Sequence, residues 1–216
     1  MTPPGMKKIV IAIDGPAASG KGTLARRLAG AFNLPYLDTG LLYRAVARRV
    51  LDHGADPADP EAATGQARTL NRVDLQRDDL RTREVDLAAS AVASIPSVRA
   101  ALLDFQRKFA DMSGAVLDGR DIGTIVFPNA GVKLYITASL DVRAARRFAE
   151  RSAQGVTTTL DAVREELAAR DEADRTRAAA PLRPADDAHH LDTSAMDADH
   201  AFAAAAALVN QALAKG

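Results

Sequence analysis

The feature that most constrains this chain is a glycine-rich segment near its start, Gly15-Pro16-Ala17-Ala18-Ser19-Gly20-Lys21-Gly22-Thr23. Its glycines at 15 and 20 and its lysine at 21 match the pattern G-x-x-x-x-G-K of phosphate-binding loops. In such loops the glycines let successive backbone N–H groups converge on phosphate oxygens, and the lysine adds a mobile positive charge. All nine residues are therefore candidate nucleotide ligands, and Lys21 is also a candidate catalytic residue.

The sequence on either side of this segment supports the same interpretation. Lys7–Ile13 is a short, β-branched apolar run, typical of a strand that is buried on both faces of a parallel sheet. Residues 23–32 place apolar side chains at helical spacing, so a helix is predicted to leave the loop and to point its positive end at a bound phosphate. The alternative is a glycine-rich turn that merely joins a strand to a helix without binding phosphate. Such a turn would not need a buried strand before it and a helix start after it.

Composition narrows the classes of function. With 216 residues, the chain is long enough for one compact domain with small insertions. The 28 basic and 28 acidic residues cancel, which argues against nucleic acid or an acidic membrane as a partner of the whole surface. The absence of cysteine excludes disulfides, thiolate catalysis and zinc–thiolate sites. Without an apolar leader or a membrane-length apolar run, we expect a cytoplasmic monomer that binds neither membrane nor nucleic acid.

The rest of the chain alternates short apolar strands with amphipathic helices. This alternation predicts an α/β fold with a parallel central sheet. The segments 61–83 and 171–184 are less regular, although Val73–Leu75 could form a short strand. Strands are predicted at 34–37, 115–118, 132–137 and around Leu191, and helices at 41–51, 84–93, 97–110, 140–152, 160–170 and after Asp197.

Several charged side chains follow the predicted strands and could hold a second phosphate group. Thr39 and Arg44 could grip a phosphate from two sides, although a helix cap and a solvated helix face are the alternatives. Asp118 ends a strand, where a carboxylate could order Mg²⁺. Arg120 could then stabilise a transition state, and Asp121 could accept from an exocyclic amine. The charged run 170–177 could instead be a helix end stabilised by ion pairs.

Taken in order, these segments resemble the bacterial cytidylate kinases, a family of P-loop nucleoside monophosphate kinases. Only the phosphate-binding loop is shared with many other families, so the specificity lies in the combination. The resembling segments are IDGPAASGKGT (13–23), LDTGLLYRA (37–45), LRTREV with AAS (80–90), IPSVR (95–99), LDGRDIGTIVFP (117–128) and RDEADRTRAAAPL (170–182). One departure is Thr39, which stands where the family would have serine.

The resemblance implies phosphoryl transfer from ATP to CMP or dCMP, assisted by Mg²⁺. It also implies a three-layer P-loop kinase core with a parallel central sheet, a nucleoside-monophosphate-binding insertion and a small lid. The implied boundaries are core at 1–60, insertion at 61–111, core at 112–152, lid at 153–180 and a C-terminal strand and helix of the core at 181–216. The insertion is expected to be helical with a reduced small sheet.

The resemblance also assigns roles to individual residues. The cytosine base would be bound by Ser90, Arg99 and Asp121. The ribose would be bound by Arg170 and Asp174. Those that would surround the acceptor phosphate are Thr39, Arg44, Arg120 and Arg177, of which Arg120 and Arg177 would be catalytic together with Lys21. Arg143 and Arg147 would contact ATP, and Thr23 and Asp118 would hold Mg²⁺, directly or through water.

Two other functions remain open at this point. One is a kinase for a different nucleoside monophosphate. The other is a regulatory module that binds nucleotide without catalysis, which has no need for the arginines at 44, 120 and 177. No general base is expected, because the acceptor phosphate has a second pKa near 6 and is largely dianionic at pH 7.

Overall fold

The computed structural model describes residues 8–215, and at their centre lies a five-stranded sheet in the order β2-β3-β1-β4-β5. Every neighbouring pair of strands is parallel, which confirms the α/β prediction. Lys7, where the first strand was predicted to begin, lies outside the described residues. The strands are β1 (Ile9–Asp14), β2 (Tyr36–Asp38), β3 (Gly114–Gly119), β4 (Val132–Thr137) and β5 (His189–Asp192).

Helices cover both faces of this sheet. Successive side chains of a strand point to opposite faces, so a central strand needs apolar cover on both. In β1, Ile11 and Ile13 pack in one apolar cluster, and Ala12 packs in the other. The helices are α1 (Lys21–Ala31), α2 (Thr39–Asp52), α3 (Pro60–Arg68), α4 (Arg83–Ser94), α5 (Pro96–Ala110), α6 (Leu140–Ala153), α7 (Leu160–Thr176) and α8 (Ala198–Lys215).

The three layers follow from these clusters. Helices α1 and α8 contribute to the cluster on one face, and α2 to α5 contribute to the cluster on the other. Helices α6 and α7 pack on each other and form a third small cluster, in which Ala144, Val163 and Leu167 meet Ala17 of the phosphate-binding loop. The pair α6–α7 is therefore anchored beside that loop.

Two predicted helix starts have the expected local chemistry. The Ser139 hydroxyl accepts the N–H of Val142 at the start of α6, at 3.4 Å. Asp197 directly precedes α8, and its carboxylate accepts the N–H groups of Asp199 and His200 in the first turn at 2.9 and 2.8 Å. Such side chains satisfy donors that a helix start leaves open.

The expected reduced sheet of the insertion is absent from the described residues, where no strand lies between Asp38 and Gly114. The prediction of a strand at Val73–Leu75 is also wrong, since a 3₁₀ turn occupies Asp74–Gln76. The reason is local: the Asn71 side chain accepts the backbone N–H of Val73 at 2.9 Å, and such bonds compete with strand pairing.

The lid segment is more regular than predicted. Helix α7 continues to Thr176 instead of ending at Arg170. Because residues four apart share one face of a helix, this extension places Arg170 and Asp174 side by side.

Among residues 8–215, no single helix is long and apolar enough to cross a membrane. Helices α4 and α5 would pass that test only as a pair, and they meet at an angle of 96°.

A glycine at the start of β3 provides a test of the fold. Gly114 has φ +75°, and a Cβ there would lie 2.1 Å from the Ile9 carbonyl oxygen. We expect Gly114→Ala to lower the free energy of unfolding by at least about 2 kcal/mol, measured by urea denaturation. Gly30→Ala is the matched control: Gly30 lies in α1 with no atom within 4 Å of the added Cβ, so stability should rise by up to about 1 kcal/mol. Equal effects of the two substitutions would contradict this account.

Candidate active site

The phosphate-binding loop joins β1 to α1, as the sequence predicts. Gly15 must lack a side chain there, because a Cβ would lie 2.0 Å from the carbonyl oxygen of Ile136 in β4. Gly20 precedes α1 with φ +87° and contributes no capping side chain. The first N–H groups of α1 therefore remain available to an anion at the helix start.

Lys21 opens α1 and is almost fully buried, at 8% exposure. Its ammonium group donates to the carbonyl oxygen of Pro16 at 3.1 Å, which holds it over its own loop. Burial, followed by the charge of Arg120, lowers the pKa of Lys21. A bound polyanion would oppose that shift and favour the charged lysine.

The carboxyl ends of β2 and β3 border a main cavity of about 340 Å³ beside this loop. In parallel α/β sheets this edge is the usual place for a ligand. The cavity brings together most of the predicted site residues. Those that line it are Ala17, Ala18, Gly20, Lys21, Gly22, Thr23, Thr39, Arg44, Ser90, Arg99, Asp118, Arg120, Asp121, Arg147, Arg170, Asp174 and Arg177.

Four predicted residues do not line the main cavity, namely Gly15, Pro16, Ser19 and Arg143. Arg143 differs most from its predicted place. Its guanidinium group donates to the carbonyl oxygens of Ala17 and Ala138, at 3.2 and 2.9 Å. It also donates to the Asp171 carboxylate, at 2.6 Å. Arg143 therefore braces the phosphate-binding loop against α7 instead of facing the cavity.

Thr39 is the first residue of α2 and is buried. The helix cap is Asp38, so the capping alternative for Thr39 is wrong. The Thr39 hydroxyl donates to the carbonyl oxygen of Asp118 at 2.8 Å. Its oxygen keeps acceptor capacity, and the bond ties α2 to the end of β3.

An arginine–aspartate cluster borders the main cavity, and all its members except Asp86 line it. The arginines are Arg44, Arg99, Arg120, Arg170 and Arg177, and the aspartates are Asp86, Asp121 and Asp174. Five positive and three negative groups leave an excess of two positive charges within the cluster. Such an excess in a cavity favours an anionic ligand.

The pairs in the cluster connect separate parts of the fold. The Arg120 guanidinium in the loop after β3 donates to Asp174 of α7 at 2.7 Å. Arg44 of α2 donates to Asp86 of α4 at 2.8 Å. Asp121 accepts from Arg99 of α5.

Two donors in the cluster are unpaired. The Nε of Arg170 and the Nη2 of Arg177 are buried and find no hydrogen-bond partner among residues 8–215. Burial, followed by the charge of Arg120, lowers the pKa of Arg170 to about 10. Buried unpaired donors are costly. A ligand oxygen that accepted these bonds would remove that cost.

The predicted magnesium ligands also meet at the main cavity. The Asp118 carboxylate accepts the Tyr36 hydroxyl at 2.8 Å through Oδ1, and its Oδ2 faces Gly22. Burial, followed by the charge of Asp38, raises the pKa of Asp118. Within residues 8–215 there is no cluster of three or more His, Asp or Glu that could hold a metal by itself. One carboxylate and the Thr23 hydroxyl suit Mg²⁺, which keeps several waters and shares phosphate ligands.

Sequence reasoning missed three buried or half-buried side chains at this site. Asp86 pairs with Arg44, and Asp14 accepts backbone N–H groups of the loop after β3. Arg146 lines both the main cavity and a second cavity of about 250 Å³ beside Ser19 and Met196. Of these three residues, only Arg146 could have been found from the sequence, because it lies three residues after Arg143 on the same predicted helix.

The sequence model of the family "Cytidylate kinase" matches residues 11–211, nearly the whole chain. The chain belongs to the cytidylate kinase family. A relative named cytidylate kinase from Acidiphilium cryptum (strain JF-5) is 77% identical over 210 residues, which are 97% of this chain and 99% of the relative.

More distant matches agree. A cytidylate kinase from Granulibacter bethesdensis is 59% identical over 204 residues, which are 94% of this chain and 98% of the relative. A solved structure of an uncharacterized protein from Eubacterium ventriosum aligns with a TM-score of 0.57 at 14% identity, over 94% of this chain and 98% of that one. That likeness shows a shared fold alone.

Burial of Asp14 predicts a pH dependence of stability. Burial raises the pKa of Asp14 from 3.8 to about 7, so between these values the folded protein binds more protons than the unfolded chain. The Asp14 contribution to the free energy of unfolding therefore falls as pH rises through this window, by up to about 1.4 kcal/mol per pH unit. Urea unfolding of the wild type and Asp14→Asn from pH 5 to 8.5 measures this contribution as their difference. That difference should fall to about pH 7 and then level off; a constant difference would contradict the prediction.

Proposed function

We propose that the protein transfers the γ-phosphoryl group of ATP to CMP or dCMP, producing ADP and CDP or dCDP. The observation that supports this most strongly is that the phosphate-binding loop and the arginine–aspartate cluster border one cavity. The loop suits a nucleoside triphosphate, and the cluster suits a second, separate anion. Membership of the cytidylate kinase family supports the same reaction.

On the donor side, the loop N–H groups and Lys21 would bind the triphosphate of ATP. Thr23 and Asp118 would hold Mg²⁺, which when bound neutralises charge on the phosphates. Arg146 and Arg147 of α6, rather than Arg143, would contact ATP, because both line the main cavity. The second cavity, beside Ser19 and reached by Arg146, would accept the nucleoside end of ATP.

On the acceptor side, the two excess positive charges of the cluster match a phosphate dianion. Arg44, Arg120 and Arg177 would surround that phosphate and offset its repulsion from the triphosphate. No proton has to be removed from a dianionic acceptor, so the reaction depends on alignment and charge. Arg170 and Asp174 would bind the ribose. The bases would be distinguished by Asp121, Arg99 and Ser90.

The proposed lid, residues 153–180, and insertion, residues 61–111, approach each other over the cavity. Arg83 at the start of α4 donates to Glu166 of α7 at 2.9 Å, and Arg170 of α7 lies 3.8 Å from Asp86 of α4. Contacts of this kind would close the site and exclude water, which would otherwise hydrolyse ATP. The cytoplasmic location and the monomeric state stay predictions.

The decisive experiment offers ATP with CMP, dCMP, UMP and AMP in parallel and measures ADP release. We expect turnover with CMP and dCMP and much poorer turnover with UMP and AMP. Preference for another monophosphate would establish a different acceptor specificity. Absence of turnover with every acceptor would favour the regulatory module and reject the proposed activity.

Lys21→Ala should abolish phosphoryl transfer while the protein still folds. The ammonium group touches the Pro16 carbonyl and faces the proposed site of the transferring phosphoryl group, where loss of a donor typically costs about 10²-fold or more in kcat. Lys8→Ala is the matched control, since exposed Lys8 donates to the Asp111 carbonyl oxygen and does not line the main cavity. Steady-state kinetics with CMP measure both. Near-normal turnover of Lys21→Ala would reject the role of the loop.

Asp121→Ala should impair CMP more than UMP. An ionised Asp121 can accept from the N4 amine of cytosine but repels O4 of uracil, so its loss removes a charged hydrogen bond of about 2 kcal/mol for CMP alone. That energy corresponds to about 30-fold in kcat/KM. If Asp121 served only to hold Arg99, both acceptors would lose activity equally, and an unchanged CMP-to-UMP ratio would exclude base recognition.

A further inference from the structure

Asp14 is a buried carboxylate that the proposed chemistry does not use. It ends β1, directly before Gly15 of the phosphate-binding loop, and is 4% exposed. Its Oδ1 accepts the backbone N–H of Ile122, and its Oδ2 accepts that of Gly123, both at 2.8 Å. The Asp14 side chain thus joins the end of β1 to the loop that follows β3.

The two N–H groups that Asp14 accepts belong to a short π-helical turn, Ile122–Val126. Asp121 occupies the capping position of this turn but makes no capping bond with its own side chain. An aspartate at that position ordinarily accepts N–H groups of the first turn. Here the Asp121 carboxylate instead lies against Arg99, facing the main cavity.

We infer that Asp14 is a positioning residue: it caps the turn after β3 from the neighbouring strand and thereby leaves the Asp121 carboxylate free to face the acceptor base. The consequence for base choice rests on the proposed function, whereas the capping itself does not. Asp14 acts on substrate only through the backbone that carries Arg120 and Asp121.

The surroundings of Gly123 leave this turn little freedom. A Cβ on Gly123 would lie 3.2 Å from Cδ of Lys133 and 3.4 Å from Oδ2 of Asp14. On its other side, Asp14 is in register with Gly119 of β3. The Lys133 stem thus packs beside Gly123, whose N–H and that of Ile122 both bond to Asp14, and a change at Asp14 should be transmitted to the turn.

The test compares Asp14→Asn with Asp199→Asn. Asparagine keeps the size of the side chain but offers one oxygen and turns an NH₂ group towards the second N–H. Asp199 is the matched control, because it is an exposed aspartate of α8 that pairs with Arg27 and lines neither cavity. The readouts are kcat/KM for CMP and UMP, KM for ATP, and hydrogen–deuterium exchange of the backbone at 119–126.

For Asp14→Asn we expect a loss of about tenfold or more in kcat/KM for CMP, the range for a lost buried bond. The loss for UMP should be smaller, KM for ATP should change by less than about twofold, and exchange at Ile122 and Gly123 should accelerate. In the Asp121→Ala background the same substitution should no longer change the CMP-to-UMP ratio, because the two residues act as a unit. Asp199→Asn should change none of these quantities.

Equal losses for CMP and UMP, or a rise in KM for ATP that accounts for the whole effect, would overturn the inference. If Asp14→Asn does not fold, Gly123→Ala disturbs the same contact from the turn side, and the same selective loss is expected from it. An unchanged CMP-to-UMP ratio in that variant would equally overturn the inference. A wild type without preference for CMP would reject the proposed specificity, while the exchange rates would still report whether Asp14 caps the turn.

Discussion

Mutual ion pairing is what allows five guanidinium groups to share one buried cavity. Unpaired, these groups would repel one another and lose their hydration without compensation. Asp86, Asp121 and Asp174 offset most of that charge, each pairing with two arginines. Because the aspartates come from α4, from the loop after β3 and from α7, the charge balance of the cavity depends on these three elements meeting as they do. A change in how these elements pack would therefore also change the charge balance of the site.

Local patterns in the sequence were sufficient for the parts of the fold that local chemistry determines. The β-branched run before Gly15, the helical spacing after Lys21 and the capping residues Ser139 and Asp197 each depend on near neighbours, and the structure places them as predicted. Helix α7 ran longer than predicted because its charged second half forms local pairs, such as Arg175 with Glu172 at 2.8 Å. The charged run 170–177 was open to two interpretations, an irregular segment or a helix end stabilised by ion pairs, and the helix shows that the second describes most of it.

The parts of the site that sequence could not predict depend on partners far along the chain. Arg143 was assigned to ATP from the family resemblance, but Asp171 and the Ala17 carbonyl oxygen determine where its guanidinium points. Asp14 directly follows the predicted strand, which gives no sign of its partners, and these are more than a hundred residues away. Asp86 resembles any charged residue on a helix until α2 brings Arg44 to it. Motif spacing predicts the residues that surround a ligand more readily than the residues that hold those side chains in position.

The cavity carries a cost that a bound anion would remove. The unpaired donors on Arg170 and Arg177, the lowered pKa of Lys21 and the raised pKa of Asp118 all reflect charged groups held away from water. A protein selected for stability alone would replace such groups with apolar side chains. Their retention in one cavity, opposite a loop built to hold phosphate, is consistent with binding two anionic substrates. The phosphate oxygens would accept the free donors, so the interactions that destabilise the empty site would become the ones that hold the reacting groups in line.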